Sequence, residues 1–153
     1  MPNGVGDTAT FIKSHRTLLF IGGKTEVSAV LFADNASAFT ITLDPPHTLT
    51  ITGDGIMNHS SNIQNIIAAG DNTAVSRITF RNAATAGVFT RFLVRGGMDF
   101  RGNSDSGAAA FTLASNDFNT GVAGNVNFGD NASALNSTFE IFGVPVPNGS
   151  GGS

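Results

Sequence analysis

Phe80-Arg-Asn-Ala-Ala-Thr-Ala86 and Phe100-Arg-Gly-Asn-Ser-Asp-Ser106 decide the fold of this chain. Phe32-Ala-Asp-Asn-Ala-Ser-Ala38 and Phe128-Gly-Asp-Asn-Ala-Ser-Ala134 repeat the same seven-residue pattern before and after them. Each version opens on Phe, turns through Gly, Asp or Asn, and leaves through small residues. Alternating apolar and polar residues resume after three of the four, at Phe39-Thr-Ile-Thr-Leu43, Phe111-Thr-Leu113 and Phe139-Glu-Ile141. Repeated strand–corner–strand units mark a solenoid. The four phenylalanines lie 48, 20 and 28 residues apart. A parallel β-helix coil takes roughly 20–25 residues, so the longest interval holds two coils and the others one each. The expectation is an all-β protein, a β-solenoid of about six or seven coils stacked roughly 4.8 Å apart. In it Phe32, Phe80, Phe100 and Phe128 share one interior column. Asn35, Asn103 and Asn131 form a corner column in which amides bond from coil to coil, with a break at Ala83. A β-sandwich is the alternative, since it also uses short alternating strands, but it needs antiparallel hairpins.

Composition points the same way. The 153 residues suit one core. Only 12% are charged and 41% are hydrophobic, which excludes an intrinsically disordered chain. Lys and Glu are scarce, so helix surfaces have little to be built from. Phe, at 13 copies with no Tyr or Trp, supplies nearly all the aromatic bulk and buries without needing a hydrogen-bond partner. A net charge of −3 argues against a nucleic-acid partner. The absence of cysteine excludes disulfides and thiolate chemistry. No apolar run is long enough to span a membrane, so direct membrane insertion is not expected. Residues 1–146 read as a single solenoid domain. The tail 147–153, ending Gly-Ser-Gly-Gly-Ser153, reads as a flexible linker. Met1-Pro-Asn-Gly-Val-Gly6 reads as a cut inside a larger protein.

Strand signals follow one another at short intervals, at 8–11, 17–21, 26–32, 39–43 and 48–52. Further signals fall at 75–81, 88–94, 98–101, 109–113, 121–128 and 138–142. Between residues 26 and 32 the alternation places Val27, Ala29 and Leu31 on one side, Val30 and Phe32 on the other. Asp44-Pro-Pro46 and Gly53-Asp-Gly55 are turn signals. Residues 56–69 admit two readings: a short helix capped by Ser60, or a strand from Ile63 to Ala68. The surrounding β repeats favour the strand.

Signals for catalytic chemistry are weak. Phe20-Ile-Gly-Gly-Lys-Thr25 lacks the leading Gly of a phosphate loop, because Leu18 stands there. His15, His47 and His59 have no metal-ligand spacing. Ser104 and Ser106 lack the Gly-x-Ser-x-Gly elbow. Asp34, Asp54, Asp71, Asp105 and Asp130 recur at corners, where Asp is an ordinary turn former, and the calcium nonapeptide is absent. A glycosidase needs two placed carboxylates. Glu26 and Glu140 are the only glutamates. The expectation is a non-enzyme without metal or cofactor. Five of the six arginines, Arg77, Arg81, Arg91, Arg95 and Arg101, fall in one window. On stacked coils they are candidates for a basic interaction stripe facing an acidic partner. The bland reading pairs them with Asp99, Asp105 and Asp117.

The stretches Gly6-Asp-Thr-Ala-Thr-Phe11, Val30-Leu-Phe-Ala-Asp-Asn-Ala-Ser-Ala-Phe-Thr-Ile-Thr-Leu43 and Leu49-Thr-Ile-Thr-Gly-Asp-Gly-Ile56, with Phe80-Arg-Asn-Ala-Ala-Thr-Ala-Gly87, resemble the autotransporter-associated β-strand repeat proteins. The resemblance covers most of residues 6–142. It implies a right-handed parallel β-helix passenger region of a bacterial protein, secreted or at the cell surface. The function then expected is structural or adhesive, with the chain itself as partner through head-to-tail association into oligomers or filaments. The alternative is a β-helix that binds or degrades a surface polysaccharide.

Overall fold

The structure is a computed structural model that describes residues 2–71, 73–115 and 123–143. The expected tail 147–153, Asp117 and the start of the strand expected from Gly121 lie outside the described residues. Twelve strands follow in order: β1 Gly4–Phe11, β2 Leu18–Ile21, β3 Thr25–Phe32, β4 Thr40–Leu43, β5 Thr48–Asn58, β6 Gln64–Ala68, β7 Arg77–Phe80, β8 Thr90–Val94, β9 Gly97–Phe100, β10 Ala110–Leu113, β11 Asn125–Phe128 and β12 Thr138–Ile141. Odd strands form one six-stranded sheet and even strands a second, both in chain order. Every neighbouring pair is parallel. Each coil therefore gives one strand to each sheet. The result is a parallel β-solenoid of six strand levels, about five full turns. The stretch 56–69 contributes β6, and no helix occurs among the described residues.

Parallel stacking in register puts like side chains above one another, and two inner columns carry most of the aromatic bulk. In the odd sheet, Phe80, Phe100 and Phe128 are direct partners, with ring centroids 4.8 Å apart at each step. In the even sheet, Phe92, Phe111 and Phe139 do the same at 5.0 and 4.8 Å. The two columns meet edge to face at 6.2–6.3 Å, a preferred aromatic geometry. On either side, Leu49, Ile78 and Met98 in one sheet and Leu43, Ala68, Val94 and Leu113 in the other complete the buried interior.

Phe32 does not belong to the first column. Its partner is Phe11, stacked at 5.0 Å. The β3 residue level with Phe80 is Val27, through Ile51. The reason is a register shift. Thr25–Val27 pair with Leu49–Ile51, whereas Ala29–Phe32 pair with Gly55–Asn58. Residues 52–54 thus stand opposite Ser28 alone, a bulge. Gly53-Asp-Gly55 is accordingly not a turn but lies inside the eleven-residue β5. At Gly55, with φ 87°, a Cβ would lie 2.1 Å from the Thr85 carbonyl oxygen, so the backbone conformation and the close approach both demand glycine there. On the other side of β3, residues 5–7 of β1 likewise stand opposite Ser28, and past this point Ala29 and Val30 are both buried while Leu31 is half-buried, which breaks the strict alternation expected there.

Candidate interaction surfaces

The corner after each Phe of the first column is built from residues that tolerate a left-handed backbone. Asn82 (φ 59°), Gly102 (φ 71°) and Asp130 (φ 59°) occupy the same place two residues after Phe80, Phe100 and Phe128. Asn and Asp are the non-glycine residues that enter this region most readily. One residue on, Asn131 Nδ2 donates to Asn103 Oδ1 at 3.3 Å. This is one rung of the expected ladder. The rung stops at Ala83, as the sequence requires. Asn35 is exposed and follows Phe32, so it lies at a different corner and takes no part. Beyond the corner, Gly55, Thr85, Asp105 and Ser133 form a narrow third parallel ladder of single bridges. Asp105 Oδ1 accepts from Thr85 Oγ1 at 2.6 Å and from the Gly107 amide at 2.8 Å. Its carboxylate is thus spent on the backbone corner rather than on an arginine.

The five arginines do not form one stripe. Arg77 projects from β7 on the outer face of the odd sheet. Arg81 and Arg101 stand at equivalent corners after Phe80 and Phe100. Arg91 is on β8 in the even sheet, and Arg95 sits in the short connection between the sheets. The separation follows from the coil: successive strands alternate sheets, so arginines 10–14 residues apart face different directions. Arg77 Nη1 and Arg101 Nη2 instead converge on Asp99, the latter at 3.6 Å from Oδ1. Asn127 Nδ2 donates to the same oxygen at 3.1 Å. The Asp99 side chain is nearly buried while both arginines remain about half exposed. Asp99 is therefore the centre of a three-coil clasp on the odd sheet, of which the arginine window gave one half.

A buried polar cluster was not legible as such. Gln64 Oε1 accepts the Phe39 amide at 2.9 Å, and Gln64 Nε2 donates to Ser60 Oγ at 3.1 Å and to the Ser37 carbonyl at 3.2 Å. Asn58 Oδ1 accepts from Ser60 Oγ at 2.7 Å, and its Nδ2 reaches the Asn62 and Phe89 carbonyls. The dense Asn/Ser/Gln run 58–65 was the available signal.

Among the described residues no group of three His, Asp or Glu side chains is placed to hold a metal ion. Glu26 and Glu140 lie on β3 and β12, in different sheets. Asp71 caps its own loop: hydrogen bonds from the Thr73 hydroxyl, then from the Thr73 and Ala74 amides, hold its carboxyl below the usual range. Among the described residues no helix is long and apolar enough to cross a membrane. No family model matches the chain, and no curated protein or solved structure matches it.

Proposed function

We propose that this chain is a structural or adhesive module of a bacterial surface or secreted repeat protein, a stiff stack whose ends pair with further copies of itself. The observation that carries this reading is the state of the ends. Among the described residues β1 and β2 pair on one side only, with β3 and β4, and β11 and β12 on one side only, with β9 and β10. Such edges present backbone donors and acceptors to another strand. The inner columns are also left open there. Phe100 and Phe111 are 0% and 1% exposed, while Phe128 and Phe139, one level further on, are 37% and 39% exposed. Covering an aromatic side chain of this size contributes about 1.5–3 kcal/mol when it is complete. The two ends differ, so their contact is heterologous and need not close into a ring. The likeness to autotransporter-associated repeats supports the surface or extracellular placement.

Sedimentation velocity over a tenfold concentration range tests the reading. Species larger than one chain are expected to grow with concentration, and Phe128→Glu with Phe139→Glu to abolish them. A single monomeric boundary at every concentration overturns it.

A further inference from the structure

The solenoid interior contains a cavity of about 270 Å³ at its amino-terminal end, lined from three successive coils. Ala9, Phe11 and Ile21 line it in the first coil, and Ile51, Ile56 and Ile66 in the third. Its cause lies in the two aromatic columns. Going up from Phe80, the first column continues as Ile51, Val27 and Gly4. Going up from Phe92, the second continues as Ile66, Ile41 and Leu19. Both columns lose a ring at the same level, so the space between the sheets is no longer filled. The aromatic bulk of these coils sits instead near the corner, in the cluster Phe11, Phe32 and Phe39.

We propose that this cavity is a binding site for an uncharged alkyl tail entering from the amino-terminal end, with any polar head group left at the mouth. Among the described residues no charged side chain lines it, and Thr10 and Thr25 carry the only side-chain polar atoms of the lining. A volume of about 150 Å³ with comparable lining stays dry and holds benzene, so the present space exceeds the needs of one ring. Its lining spans three coil levels, two steps of about 4.8 Å, which suits an extended chain better than a compact one. A lining this apolar offers little reward to a buried hydroxyl or charge. This inference is independent of self-association, although the mouth lies at an end where another copy would dock.

The test uses the whole chain with 1-octanol and, as a control of equal length, octane-1,8-diol, followed through the isoleucine methyl signals in NMR spectra. Octanol is expected to shift Ile41, Ile51, Ile56 and Ile66 saturably and leave Ile78 and Ile141 in place. The diol must bury a hydroxyl and is expected to bind at least about tenfold more weakly. Ile51→Phe with Ile66→Phe extends both aromatic columns by one level and is expected to abolish the shifts. If that variant does not fold, the comparison of octanol with diol in the unaltered chain decides. No saturable shift at the four isoleucines, equal binding of the diol, or unchanged binding by the folded variant overturns the proposal. So do shifts of those methyls that follow protein concentration alone, which would show that a second copy fills the mouth.

Discussion

The upper half of the stack, β1 to β6, and the lower half, β7 to β12, solve one packing problem in opposite ways. In the lower half the rings occupy the centre, in two columns that touch edge to face. Its corners are then turned by small residues, with Ala84, Ala86, Ser104 and Ser106 buried. Coil length is free to vary there, with 20 residues from Phe80 to Phe100 and 28 from Phe100 to Phe128, while the rings stay in register. In the upper half the rings move to the corner, the centre is aliphatic, and β1, β3 and β5 are long, with β1 and β5 bulging opposite Ser28. The Gln64 cluster lies at the junction, with Gln64 level with Thr90 of the lower half and its amide bonded toward Phe39 of the upper. One sheet pairing thus runs through two interiors. Strand register is inherited from coil to coil, while side-chain volume is redistributed within each coil.

Truncations within one column should separate the two halves most strongly. Phe100→Ala removes a ring stacked on both sides and is expected to cost about 3–5 kcal/mol. Ile51→Ala, in the equivalent column beside the cavity, removes fewer contacts and is expected to cost about 2 kcal/mol. Urea unfolding followed by circular dichroism measures both. Equal costs would mean that the upper interior is as tightly filled as the lower.

The junction comes next. Gln64→Leu keeps the volume but strips the Phe39 amide of its acceptor, at an expected cost of about 1–3 kcal/mol. The same unfolding curve is expected to lose cooperativity between the halves. A neutral effect would show that the cluster is incidental to joining them.

Much of this architecture could be read from residue types. Phe at the end of a strand, followed two positions later by Asn, Gly or Asp, marked the lower corners because that backbone conformation admits few other residues. Thr alternating with apolar residues located β4 and β5. The register of the upper half was less legible: Phe32-Ala-Asp-Asn35 has the same letters as the lower corners, yet the bulge opposite Ser28 carries it five positions beyond Val27, the residue level with Phe80. Three-dimensional pairing, not local pattern, fixes that offset. The arginine window misled for a related reason. Sequence proximity does not decide a face when every second strand changes sheet, and Asp99 gains its importance from neighbours 22 residues before and 28 after it. The cavity was invisible because it depends on two columns losing their rings at one level.

The Asp99 clasp offers the smallest effect. It belongs to the lower half, and its arginines are half exposed and screened by solvent, so Asp99→Ala is expected to cost about 1 kcal/mol, less at high salt. A loss several times larger would make the outer face, rather than the ring columns, the main support of these coils.

Nuclear Overhauser contacts between phenylalanine rings test the central claim most directly. In-register parallel stacking predicts contacts from Phe100 to both Phe80 and Phe128, and from Phe32 to Phe11. Contact between Phe32 and Phe80, or no contact from Phe100 to either neighbour, would contradict the stacked-column account.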